Sequence, residues 1–114
     1  MERAVRALSD IKQGIAEIRL FLAGATVDEL RSDRKTRLAF ERLLEIVSEA
    51  SRFIPEEWKA ANPDVPWRNV SNLGNHLRHA YQKVDLKLLW SIYADDLDPL
   101  EAAIDAMLAA HPDK

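Results

Sequence analysis

Between Trp67 and Tyr81 the chain gathers His76, His79, Asn69, Asn72, Asn75, Arg68 and Arg78, almost all of its rare polar chemistry in one segment. Imidazole is the side chain whose ordinary pKa lets it take and return protons near neutrality, which makes His79 the leading candidate for acid–base chemistry. His76 falls on another part of the helical wheel and His111 lies near the C-terminal end, so both are expected to be structural. The sequence offers no metal site: no His-Glu-x-x-His pair occurs, and Asp95-Asp96-Asp98 lacks the glycine and distant glutamate of a calcium loop.

At ~100° per residue, Arg68, Asn72, Asn75 and His79 share one face of a helix, while Val70, Leu73, Leu77 and Tyr81 cluster opposite. Asparagine is a poor helix former beside lysine or glutamate, so two of them flanking a histidine point to buried or interfacial polar contacts.

The elements that must position this face are helical. Val5, Leu8, Ile11, Ile15, Ile18 and Leu22 recur at steps of three and four, predicting a helix that stops near Gly24. Thr26 and Glu29 have capping-box spacing, and the apolar stripe from Leu30 to Phe53 predicts one long second helix up to Pro55, antiparallel to the first. Pro55 opens a short turn carrying Trp58. Pro66 starts a helix running to about Tyr81, Asp85 caps the next, and Pro99 is expected to kink the last one.

A chain of 114 residues with 47% hydrophobic residues, three glycines and no cysteine predicts a single domain over 1–114 and an all-α fold without disulfides, thiolate chemistry or a cysteine-bound metal. The formal net charge of -3 rules out a globally basic surface, so any RNA contact must be local, with Arg68, Arg78 and Lys83 nearest the unusual segment. Met1-Glu2-Arg3-Ala4-Val5-Arg6 is followed by Asp10 and Lys12 before any apolar run of signal or membrane length. A cytoplasmic protein without a membrane segment is expected.

Taken in order, Pro66-Trp67-Arg68, Asn75-x-Leu77-x-His79-x-Tyr81, Val84-Asp85 and Trp90 resemble the HepT-like branch of the HEPN superfamily. These are small helical proteins paired with minimal nucleotidyltransferases in prokaryotic toxin–antitoxin modules. The resemblance spans nearly the whole chain and implies an antiparallel bundle of four to five helices with a kinked C-terminal helix. It also implies a metal-independent RNA endonuclease assembled across a homodimer, with no cofactor. His79 maps to the catalytic histidine and Asn75 to the asparagine that supports it. The family's arginine stands immediately before that asparagine, where this chain has Gly74. Cleavage by a ribose 2′-hydroxyl needs both proton transfer and a cation for the phosphoryl oxygens, so Arg78 or Arg68 must substitute if the chemistry survives. Tyr81 maps to the tyrosine that a cognate nucleotidyltransferase adenylylates to silence the toxin. The alternative is a non-catalytic helical dimer that binds or regulates that nucleotidyltransferase, a reading favoured by Gly74.

Overall fold

Leu8, Ile11, Ile15, Ile18 and Leu22 are fully buried along one side of α1 (Glu2–Leu22), so the first apolar stripe becomes the floor of the core. Each such side chain contributes roughly 2 kcal/mol of transfer free energy. The chain leaves α1 through Gly24, whose φ of 74° lies in the left-handed region that glycine enters without steric cost. The computed structural model describes residues 2–79 and 85–112.

The second helix differs from the expectation, because it is two helices rather than one. The Thr26–Glu29 capping box forms in both directions, with backbone-to-side-chain bonds of 3.0 and 3.1 Å, and opens α2 (Val27–Ser32). Asp33 then interrupts the stripe by accepting from the Thr36 amide at 3.0 Å and the Thr36 hydroxyl at 2.7 Å, and starts α3 (Arg34–Ser51) as its N-cap. Those Thr36 bonds, the hydroxyl foremost, hold the Asp33 carboxyl below its ordinary pKa.

α3 runs antiparallel to α1, as expected: Arg3 lies over Phe53, just beyond the end of α3, whereas Gly14 meets Val47. Pro55 opens the short α4 (Glu56–Ala60), and α5 (Trp67–His79) packs back along α3. Asp85 caps α6 (Leu86–Ser91) through the Lys87 amide at 2.9 Å. A π-helical turn, Ile92–Asp96, carries α6 into α7 (Leu97–Ala110). The expected disturbance therefore falls ahead of Pro99, and the reason is local. A proline ring clashes with the carbonyl four residues back, here Asp95, and the wider turn moves that carbonyl aside.

α7 lies antiparallel on α1, tied by Arg19 to Asp98 and Glu101 and by Lys12 to Asp105. The Glu101 bond is the main reason that the Arg19 guanidinium is held above its ordinary pKa. Four long members, α1, α3, α5 and the continuous rod from α6 to α7, make an all-α bundle with no strand among the described residues. His111 has the structural role expected of it, since its ring stacks on Trp58 with centroids 3.7 Å apart and closes the C-terminal end onto α4.

Candidate active site

The orientation of α5 is set from its buried side. Trp67 is buried and its indole N–H donates to the Asn62 carbonyl at 3.0 Å, anchoring the first turn. Leu77 and Gly74 are also buried, with Val70 and Leu73 half-buried beside them. Arg68, Asn72, Asn75 and His79 consequently face outward, as the helical wheel requires. The two asparagines are exposed in the protomer rather than buried.

Asn72, Asn75, His76 and His79 line one broad, open depression on this face. Three of the four come from the predicted polar ladder; His76 does not. Residues three apart on a helix are neighbours, at about 5–6 Å between Cβ atoms, and that adjacency is the signal that could have placed His76 beside His79. Two imidazoles one turn apart can divide a proton transfer between a base and an acid.

The His79 ring is held in one tautomer. Its Nδ1 lies 2.8 Å from the backbone oxygen of Asn75, and a carbonyl only accepts, so Nδ1 carries the proton. In the neutral ring Nε2 then keeps its lone pair, on a side chain that is exposed. Asn75 thus positions the histidine through its main chain.

The surroundings of Gly74 are the unusual part of α5. Gly74 packs against α3, where its amide donates to the Ser48 hydroxyl at 2.8 Å and that hydroxyl reaches the Val70 carbonyl at 2.6 Å. Ser48 therefore stands between an amide and a carbonyl that pair with each other in an undisturbed helix. Ser51 and Ser71 continue this close seam with hydroxyl oxygens 3.2 Å apart. A Cβ at position 74 would meet Ser48 Oγ at 3.0 Å and Ser48 Cβ at 3.1 Å. It would also lie 3.3 Å from Nη1 of Arg78, whose guanidinium folds back one turn over the glycine. Arg78 lines a cleft formed with α1 and α3, on the flank of α5 about 100° round the helix from His79. Arg68 is exposed on the first turn, about 16 Å along the axis from His79 at ~1.5 Å per residue, and the protomer does not bring the two together. Tyr81 lies outside the described residues.

This open histidine and asparagine ladder lies on α5, the third long member of the bundle. The family model described as "Ribonuclease HepT-like" matches residues 11–107. The chain belongs to the HepT-like ribonuclease family. It is similar to a Thermococcus cleftensis protein named "Probable ribonuclease HepT", with 34% identity over 88% of this chain and 91% of the relative. It is also similar to a Methanocaldococcus jannaschii protein named "Putative RNase MJ1380", with 32% identity over 91% of this chain and 96% of the relative. No solved structure matches it. Among the described residues of this HepT-like chain, no helix is long and apolar enough to cross a membrane.

Proposed function

We propose that this HepT-like protein is a metal-independent RNA endonuclease, the toxin component of a toxin–antitoxin module that acts in the cytoplasm as a homodimer. The observation that carries the reading is the 2.8 Å contact of His79 Nδ1 with the Asn75 carbonyl, because it leaves Nε2 available as a base on an open surface. Nε2 takes the proton of a ribose 2′-hydroxyl. The O2′–P bond forms as the P–O5′ bond breaks, and the departing 5′-oxygen receives a proton from an imidazolium or from water.

Arg78 supplies the cation for the phosphoryl oxygens, since its guanidinium occupies space beside Gly74 that a side chain at the motif position would enter. Arg68 of the second subunit is the other candidate, reached across a two-fold axis. A cognate minimal nucleotidyltransferase controls the protein by adenylylating Tyr81. The non-catalytic reading, a helical dimer that only binds that partner, draws on one observation, the glycine at position 74.

RNA cleavage measured in EDTA separates these readings. The nuclease reading expects cleavage that His79→Ala abolishes and Arg78→Ala lowers by about a hundredfold, the worth of one good donor to a developing oxyanion. Wild-type protein without His79-dependent cleavage leaves the binding role.

A further inference from the structure

Four arginines line a single cleft of about 430 Å³ on the flank of α5: Arg3 and Arg6 from α1, Arg42 from α3 and Arg78 from the last turn of α5. Among the residues whose side chains are described, none lends Arg3, Arg6 or Arg78 a carboxylate within 4.0 Å. Acidic side chains line the same cleft, and two of them lie near other arginines, Glu45 near Arg42 within the cleft and Glu49 near Arg52 outside it. Glu45 lies 3.7 Å from Arg42, and Glu49 lies 3.6 Å from Arg52. The lining therefore holds four arginines against Asp10, Glu45 and Glu49, a local positive excess in a chain whose net charge is -3. Such an excess is repulsive until an anion enters it.

The floor of the cleft is of the opposite character. Ile46, Ala50 and Phe53 line it, and Phe53 is 42% exposed, an unusual placement for a phenyl ring. Arg3 already rests over that ring with its guanidinium carbon 5.0 Å from the centroid, so the ring face is turned toward the cleft. A cleft that pairs guanidinium groups with an exposed phenyl ring, one face of it covered by Arg3, has the two recognition elements of a nucleotide, phosphate on arginine and base on ring once Arg3 swings aside.

We propose that this cleft binds a nucleotide of single-stranded RNA next to the scissile one, its phosphate held by Arg3 and Arg6 and its base stacked on Phe53, with Arg78 on the side of the scissile phosphate. The inference rests on the ribonuclease reading for the direction of the strand: a strand leaving the cleft past Arg78 turns about 100° round α5 to reach the His79 depression. A base that slides over Phe53 exchanges a cation–π contact for a stacking contact and releases Arg3 to the adjoining phosphate. Duplex RNA, whose bases are already stacked and paired, lacks the free face that this cleft takes.

The test is binding of a labelled single-stranded RNA oligonucleotide, 2′-O-methylated to prevent cleavage, followed by fluorescence anisotropy over a range of salt concentrations. Arg3→Ala/Arg6→Ala should raise Kd at least about tenfold and lower the slope of log K against log salt by about 1.4, the loss of two phosphate contacts. Phe53→Leu, which keeps apolar packing, should raise Kd about tenfold and leave that slope unchanged. An unchanged Kd and slope in the arginine variant overturns the proposal, as does absence of RNA binding by the parent protein. Equal competition by duplex RNA overturns the stacking site. A fall of the arginine variant from dimer to monomer in light scattering would assign the cleft to contact between copies and overturn it as well. The two readings fail separately. Cleavage that survives His79→Ala while the arginine variant loses binding removes only the active-site assignment, and His79-dependent cleavage with unchanged binding removes only the cleft.

Discussion

Gly74→Ala should destabilise this protein, although glycine to alanine inside a helix ordinarily stabilises by about 1 kcal/mol. The new methyl would stand 3.0 Å from Ser48 Oγ and 3.1 Å from Ser48 Cβ, roughly half an ångström inside an ordinary carbon contact. Ser48 cannot yield freely, because its hydroxyl accepts from the Gly74 amide at 2.8 Å and reaches the Val70 carbonyl at 2.6 Å. Rotating it away forfeits two hydrogen bonds at about 1 kcal/mol each, and separating α3 from α5 instead costs a similar amount of packing. The net expectation is a loss of about 1 to 2 kcal/mol, or roughly 4–10 °C in Tm. Ser48→Gly removes the obstructing Cβ and hydroxyl together. In that background Gly74→Ala should be neutral or stabilising, which makes the coupling between the two positions about 2 kcal/mol. Urea unfolding of the four proteins, followed by far-ultraviolet circular dichroism with m compared across the set, measures it. Stabilisation by Gly74→Ala in the parent protein, or additive single changes, would refute the close-contact argument.

Static light scattering at micromolar concentration should give about twice the 13.0 kDa chain mass, and a strictly monomeric mass would remove any active site composed across two subunits. Incubation with the cognate nucleotidyltransferase and ATP should add adenylyl mass to the wild type and none to Tyr81→Phe; an equal shift in both would place the acceptor elsewhere. Asp33 holds its proton less tightly in the fold than in the unfolded chain, so its capping contribution is complete above the ordinary carboxylate pKa and fades as pH falls through the lower folded value. The stability difference between the parent and Asp33→Asn should accordingly be constant at neutral pH and shrink below about pH 4; a difference that persists unchanged in acid contradicts the charged cap. If Arg78 is the substitute cation, Gly74→Arg combined with Ser48→Gly should restore part of the cleavage lost in Arg78→Ala, whereas no recovery in a folded triple variant would point to Arg68.

Local chemistry made most of the bundle legible. Leu8 to Leu22 repeat at helical spacing, Thr26 and Glu29 have the reach of a capping box, and Asp85 stands one residue before a new stripe, so each could be placed from its neighbours alone. Asp33 was not placed because its carboxylate competes for the Thr36 amide inside an apolar pattern that runs on unbroken, and the pattern outweighs one cap in any reading by periodicity. At the site, wheel angle sorted Asn72, Asn75 and His79 onto the open face but separated His76 too strictly, because side chains cover more of a helix surface than their Cα angles suggest. The meaning of Gly74 lay beyond any single-helix argument. Its missing side chain is required by Ser48, a residue of α3 twenty-six positions earlier that inserts its hydroxyl into the backbone of α5. The same missing side chain leaves the space into which Arg78 folds, 3.3 Å from where a Cβ would be. Gly74 and Arg78 are therefore one structural feature rather than a loss and an unrelated neighbour. A side chain at position 74 would press on Ser48 and on the Arg78 guanidinium together, so the position of that guanidinium depends on the packing of α3 as much as on the spacing along α5.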